Sequence, residues 1–166
     1  RIRRCLPHLA PDQQPALQAL PDQAVEVLIA GCGTGRQALW CGREYPAARI
    51  LAIDLSRASL AYGLLKAREF AIANVEFLHG DLLDLPELGR QFDFIESIGV
   101  LHHMADPARG LAALARCLRA GGWMKVALYS ESARAAVRAA RRRIAEEDHP
   151  STADGIRNFR HLLMSD

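Results

Sequence analysis

The 166 residues suffice for one globular domain with a sizeable core, and 50% hydrophobic and 24% charged residues is an ordinary globular composition. A net charge of +2 gives no indication of binding to nucleic acid or to an anionic membrane, and no apolar run reaches the roughly 18 residues of a membrane span. The four cysteines form no CxxC pair, so no metal site is expected, and scattered single cysteines favour a reducing, cytoplasmic compartment.

The first half of the chain alternates apolar runs with helical patterns. Residues 1–24 are punctuated by prolines and predict an irregular lead-in with short helices. The apolar run at 25–30 predicts a buried strand, and a helix is expected at 34–44. A second strand is predicted at 49–54. It is followed by a helix over 57–72 whose small and apolar side chains share one face.

The second half repeats this alternation. Strands are predicted at 75–78 and 92–98. Asp106-Pro107 is a typical helix start, with an N-cap followed by proline at the first helical position. Gly121-Gly122 is expected to end that helix, and a fifth strand is predicted at 123–128.

Two further helices are predicted at 133–147 and 152–164, after the last strand. The predicted organisation is a lead-in at 1–24, an α/β domain at 25–130 and C-terminal helices at 131–166. Strands that alternate with helices indicate a parallel sheet covered on both faces, which is a three-layer α/β sandwich. Ligands of such sheets bind outside the carboxyl ends of the strands.

A glycine-rich turn, GCGTGR, follows the first predicted strand. Gly31 and Gly33 match the G-x-G-x-x-G pattern of dinucleotide-binding turns, but the third position is Arg36 and the third glycine is Gly35. A Walker loop would need a Lys that is not present. The turn therefore predicts close approach by a ligand other than a pyrophosphate, and the alternative is a tight turn with no ligand.

Two acidic residues follow the next strands. Asp54 ends the second strand, about twenty residues after the turn, where a carboxylate can accept both hydroxyls of a ribose. Asp81 follows the third strand, within reach of an adenine amino group. A ligand that consists of a carboxylate, a ribose and an adenine, with no phosphate, is S-adenosylmethionine. The alternative for each acid is a structural role, as an N-cap shared with Ser56 for Asp54 and as a cap or loop residue for Asp81.

The segments VLIAGCGTG, ILAIDLS, HGDLLDLP, FDFIESIGVLHHM and LARCLRAGGWMKVALYS resemble, in order and spacing, the motifs of the class I S-adenosylmethionine-dependent methyltransferases. The resemblance covers roughly residues 25–130. GVLHHMADP is similar to the small-molecule type, some of which are fused to peptide-repeat domains. The resemblance implies a Rossmann-like sheet of strand order 3-2-1-4-5, S-adenosylmethionine as cofactor, S-adenosylhomocysteine as product, and methyl transfer to an acceptor.

The resemblance also implies roles for individual residues. The three glycines of the turn would line the methionine and ribose, and Asp54 would hold the ribose hydroxyls. Asp81 would address the adenine, and Ser97 would face the methionine end. The full predicted cofactor set is Gly31, Gly33, Gly35, Asp54, Leu55, Asp81, Leu82, Ser97 and Ile98.

The sequence departs from the family pattern at two places. The family usually has an acid two residues before the first glycine, where it often contacts the cofactor's amino group, and this chain has Ile29. The family sheet also normally finishes with two more strands, whereas no strand is predicted after Leu128. We therefore expect an incomplete sheet edge at the position of strands 6 and 7, or one replaced by the last helices.

His102 and His103 follow the fourth strand, near the expected acceptor. His102 is the candidate catalytic base, and the alternative is that both histidines are structural. The Arg-rich segment RAAVRAARRRIAEED predicts a solvated helix with ion pairs rather than a nucleic-acid surface. The acceptor, a small molecule or a protein, is not indicated. One rival function is a non-catalytic cofactor- or partner-binding module. The other is a nicotinamide-dependent oxidoreductase, against which Arg36 in place of the third glycine argues.

Overall fold

The structure is a computed structural model that describes residues 24–130 and 132–165, so nearly all of the predicted lead-in lies outside it. Five strands are β1 (Glu26–Ala30), β2 (Arg49–Asp54), β3 (Val75–His79), β4 (Phe92–Ile98) and β5 (Leu118–Ala127). They form one parallel sheet of order β3-β2-β1-β4-β5, which confirms the predicted strand order. Among the described residues β5 is the last strand, and two helices follow it.

Helices alternate with the strands as predicted. They are α1 (Arg36–Glu44), α2 (Arg57–Glu69), α3 (Pro107–Cys117), α4 (Ala135–Glu146) and α5 (Ala153–Ser165). Asp106 caps α3, because its Oδ1 accepts the amides of Ala108 and Arg109. Two 3₁₀ segments, Leu82–Leu88 and Leu101–His103, were not predicted.

The end of α3 was predicted wrongly. The helix ends at Cys117, and β5 already begins at Leu118, which pairs with Phe92. The physical reason is a tertiary contact, because Arg119 forms an ion pair with the buried carboxylate of Asp93. Gly121, with φ of 78°, lies in the irregular first part of β5 and does not cap a helix.

The core lies on both faces of the sheet, because alternate residues of β1 and β2 point to opposite sides. One face buries Val27, Ile29, Ile50 and Ala52 against Ala38 and Cys41 of α1. The other face buries Leu28, Ala30, Leu51 and Ile53 with Leu82, Leu85, Ile95, Leu101 and Leu114. Each fully buried aliphatic side chain contributes roughly 1.5–3 kcal/mol to the hydrophobic free energy of folding. Buried side chains on both faces therefore surround the carboxyl ends of β1 and β2.

The described residues form two compact units that divide between Leu128 and Tyr129. The second unit contains α4 and α5, and Phe159 of α5 is buried with its ring 4.9 Å from that of His149. Arg143 forms an i,i+4 ion pair with Glu147, as expected for a solvated helix. No helix within the described ranges has the length and apolar character needed to cross a membrane.

Candidate functional site

The turn after β1 contains three glycines in the left-handed backbone region. Gly31, Gly33 and Gly35 have φ of 74°, 53° and 83°, which costs a residue with a Cβ roughly 1–2 kcal/mol. The amides of Gly31 and Cys32 donate to the Ile53 carbonyl at 2.9 and 3.0 Å. These bonds fix the turn against the end of β2.

The surroundings of the three glycines differ. A Cβ at Gly31 would lie 2.3 Å from Cγ2 of Val100, in the loop after β4. A Cβ at Gly35 would lie 2.9 Å from the Phe77 ring, so this glycine permits the close packing of α1 on the sheet. A Cβ at Gly33 would have nothing within 4 Å. Gly33 is therefore the point of the turn that is open to a ligand.

Asp54, at the end of β2, is joined directly to this open point. Its Oδ2 accepts the Gly33 amide at 2.7 Å, and its Oδ1 accepts the Ser56 amide at 2.8 Å. Asp54 therefore has the structural role that the sequence offered as the alternative, at the start of α2. It also braces the glycine turn. An ionised carboxylate has about four lone-pair sites, so each oxygen keeps capacity for a further hydrogen bond.

The residues predicted to contact an adenine lie after β2 and β3. Asp81 caps the first 3₁₀ segment, because its Oδ1 accepts the Leu83 amide at 2.9 Å. The Leu82 side chain belongs to the core, so only its backbone could meet a ligand. Leu55 is 67% exposed, and its carbonyl lies 3.1 Å from Nε2 of His79. An exposed leucine beside two acidic strand ends can cover one face of a flat ring.

The end of β4 supplies Ser97 and Ile98. Ser97 is 1% exposed, and its buried Oγ has no hydrogen-bond partner among the described residues. A buried hydroxyl of this kind normally finds a water or a ligand atom. Ile98 is 46% exposed and faces a cleft beside the turn.

That cleft has a volume of about 570 Å³, which is within the range of small-ligand pockets. It brings together Gly31 and Ile98 of the predicted set, but none of the predicted residues after β2 and β3 lines it. Its lining residues are Ile29, Ala30, Gly31, Cys32, Arg36, Gln37, Trp40, Glu96 and Ile98.

Glu96 is the buried acid among the lining residues that were not predicted as site residues. Its side chain is only 5% exposed, and its Oε2 accepts a hydrogen bond from Nζ of Lys125 at 3.0 Å. The signal was available, because Glu96 is an acid within the apolar strand FDFIESI. Buried carboxylates are rare unless they are paired, so this position deserved a role.

His102 and His103 adjoin each other in the second 3₁₀ segment. His102 is half-buried and His103 is exposed, and their Nε2 atoms lie 3.1 Å apart. This distance requires one Nε2 to donate and the other to accept. His102 does not line the cleft, so its role as a base stays a prediction.

Cys32 lies in the turn itself and lines the cleft. Burial, together with the nearby charge of Asp54, raises the pKa of this thiol to about 12. The thiol is therefore protonated at neutral pH and is not a nucleophile. No group of three potential metal ligands occurs among the residues that the structure describes.

The raised pKa of Cys32 has a measurable consequence. Only the thiolate reacts with iodoacetamide, and a pKa about three units above normal lowers its population at pH 8 roughly a thousandfold. We expect Cys32 to resist alkylation at pH 8 in the folded protein and to react quickly once unfolded. Site-resolved mass spectrometry against time measures this, and equal rates in both states would contradict the environment described.

Comparison with known proteins points to one class. Residues 27–122 match the family profile described as "Methyltransferase domain". The chain is 38% identical over 112 residues to the trans-aconitate 2-methyltransferase of Deinococcus radiodurans, covering 66% of this chain and 41% of that protein.

Two solved structures show the same arrangement. PKMT2 from Rickettsia typhi, in complex with AdoHcy, is 26% identical with a TM-score of 0.73, over 85% of this chain and 27% of that one. The [4+2]-cyclase SpnF is 30% identical with a TM-score of 0.59, over 69% of this chain and 42% of that one. The chain thus spans less than half the length of each of these proteins.

A parallel sheet of order 3-2-1-4-5, with a glycine turn after β1 and carboxylates after β2 and β3, defines a Rossmann-like nucleoside-binding protein. Within that class, the chain belongs to the class I S-adenosylmethionine-dependent methyltransferase family. The family resemblance predicted from its motifs is thereby confirmed.

Proposed function

We propose that the chain binds S-adenosylmethionine and transfers its methyl group to an acceptor that is a small molecule or a protein. The observation that carries this proposal is the coupling of the glycine turn to Asp54, through the 2.7 Å bond from the Gly33 amide. The bond holds a carboxylate with remaining acceptor capacity beside the only turn glycine whose Cβ direction is open. Nucleic acid is not the expected acceptor.

The residues present suit this cofactor. The open point at Gly33 leaves room for a sugar, and the two oxygens of Asp54 can each take a hydroxyl. The cleft beside the turn holds a carboxylate and a guanidinium, from Glu96 and Arg36, which are the charges that a zwitterionic amino acid requires. The side chain of Arg36 also occupies the position where a pyrophosphate-binding turn would have glycine, which argues against a nicotinamide cofactor.

S-adenosylmethionine supplies, when bound, a methyl group that is already activated on a sulfonium. The protein's contribution is then mainly alignment of the acceptor for in-line displacement. A base is needed only where the acceptor atom carries a proton, and His102 is our candidate for the base that accepts it. We propose a reducing, cytoplasmic setting for this reaction, because scattered single cysteines without a CxxC pair favour it.

The proposal is tested by transfer of labelled methyl groups to a panel of acceptors. The panel begins with trans-aconitate, after the name of the Deinococcus relative, and extends to phenols, amines and protein extracts. We expect incorporation, and we expect Asp54→Ala to lower it at cofactor concentrations that do not saturate the variant. Binding of the cofactor without incorporation into any acceptor would favour the rival module without methyl transfer.

His102 carries a separate prediction. Loss of a general base typically lowers the rate by about 10²–10⁴ with little effect on binding. We expect His102→Ala to lower turnover in this range while affinity for S-adenosylhomocysteine is unchanged. The matched control is His103→Ala, at the more exposed neighbour, which should do less. Wild-type turnover in the His102 variant would leave alignment as the whole of the protein's contribution.

A further inference from the structure

The acid that the family carries on β1 is replaced here by Ile29, but an acid stands beside it on the neighbouring strand. Ile29 pairs with Glu96 in the parallel register of β1 and β4. Paired residues of adjacent strands point to the same face of a sheet. Both residues line the cleft next to Gly31. A carboxylate therefore stands one strand away from the position of Ile29, at the same level of the sheet.

The environment of Glu96 is that of a binding group. Its side chain is 5% exposed, whereas that of its partner Lys125 is 48% exposed. Only Oε2 takes the Lys125 hydrogen bond, and no other hydrogen bond to Glu96 is formed among the described residues. A carboxylate accepts about four hydrogen bonds, so Oε1 can receive a second cation. Lys125 can also turn toward solvent, because half of its side chain already lies there.

We propose that Glu96 of β4, in place of the absent acid on β1, binds the ammonium group of the cofactor's methionine moiety. The proposal rests on the proposed function. Arg36, on the same cleft, offers a guanidinium for the carboxylate of that moiety. A cleft lined by one charge of each sign favours the zwitterionic amino-acid end over an uncharged one. Attraction to a buried carboxylate is strong, because little water screens it.

The test compares two ligands in calorimetric titrations of Glu96→Gln. S-adenosylhomocysteine carries the amino-acid end, and 5′-methylthioadenosine lacks it. Because a charge-assisted hydrogen bond is lost, we expect S-adenosylhomocysteine to bind about tenfold or more weakly to the variant. The affinity for 5′-methylthioadenosine should stay within about twofold, which also shows that the variant is folded.

The outcomes separate this proposal from the proposed function. Equal affinity of wild type and Glu96→Gln for S-adenosylhomocysteine would overturn the role of Glu96 alone. Equal weakening of both ligands would overturn it too, because the residue would then support only the shape of the site. Failure of the wild type to bind either ligand would instead refute the proposed function.

Lys125→Met supplies a second variant that leaves Glu96 in place. Removing the competing cation should leave S-adenosylhomocysteine binding at pH 8 as tight as in the wild type, or tighter. A loss confined to S-adenosylhomocysteine would overturn the proposal, because it would assign the amino-acid end to Lys125.

Ile29→Asp gives an independent check on the placement. Ile29 is 5% exposed and packs in the core, so an acid there would lie unpaired beside the buried Glu96. We expect a fall in Tm of about 5–10 °C. The double variant Ile29→Asp/Glu96→Gln should recover the part of this loss that comes from repulsion between the two carboxylates. The same Tm in the single and the double variant would show that the two side chains do not interact.

Discussion

Gly31→Ala should destabilise the protein by about 2–5 kcal/mol, which adds the cost of a left-handed alanine to that of an overpacked contact. The backbone at Gly31 has φ of 74°, and the new Cβ would lie 2.3 Å from Val100. Urea unfolding followed by circular dichroism measures the free energy of unfolding. Because this turn also carries the site, cofactor binding should weaken in the same variant.

Gly33→Ala is the matched control, since its φ is 53° but nothing lies within 4 Å of the added Cβ. It should lose only about 1 kcal/mol of stability. The double variant Gly31→Ala/Val100→Ala should be more stable than the sum of the effects of the two single substitutions predicts. Equal destabilisation of the Gly31 and Gly33 variants would contradict the close approach of the loop after β4.

Asp54→Ala should weaken S-adenosylhomocysteine binding by about 10–100-fold. Two hydroxyl acceptors are lost, and charge-assisted bonds are worth roughly 1.5–3 kcal/mol each before exchange with water is discounted. The variant should also lose about 1–3 kcal/mol of stability, because the amides of Gly33 and Ser56 lose their acceptor.

Asp54→Asn separates the two roles of this residue. The amide keeps the shape and one acceptor oxygen, so one of the two backbone amides stays bonded and part of the stability returns. Ligand affinity should remain low, because the charge and one acceptor are gone. An unchanged dissociation constant in Asp54→Ala would leave Asp54 with the backbone role alone.

The strands were predictable because their signals are local. The apolar runs at 49–54 and 92–98 coincide with the observed β2 and β4, and the Asp106-Pro107 pair marks the start of α3. The strand order came from the family resemblance and was confirmed. The end of α3 was missed because Arg119 forms an ion pair with Asp93, which is distant in the sequence, and so lies in β5 rather than in the helix.

The site was predictable in part. The positive φ angles of the turn follow from its three glycines, and the position of Asp54 follows from the spacing. The brace from Asp54 to Gly33 and the register of Ile29 with Glu96 did not follow, because both depend on which strands are neighbours and on their alignment. In the sequence, Ile29 therefore marks only the absence of an acid on β1, whereas in the sheet it lies beside the buried acid Glu96 on β4.

Calorimetric titration of the wild-type protein with S-adenosylhomocysteine and, separately, with NADH tests the central claim most directly. Asp54 coupled to the open glycine turn predicts saturable binding of S-adenosylhomocysteine at one site per chain and no measurable heat with NADH. Binding of NADH together with no binding of S-adenosylhomocysteine would contradict the account.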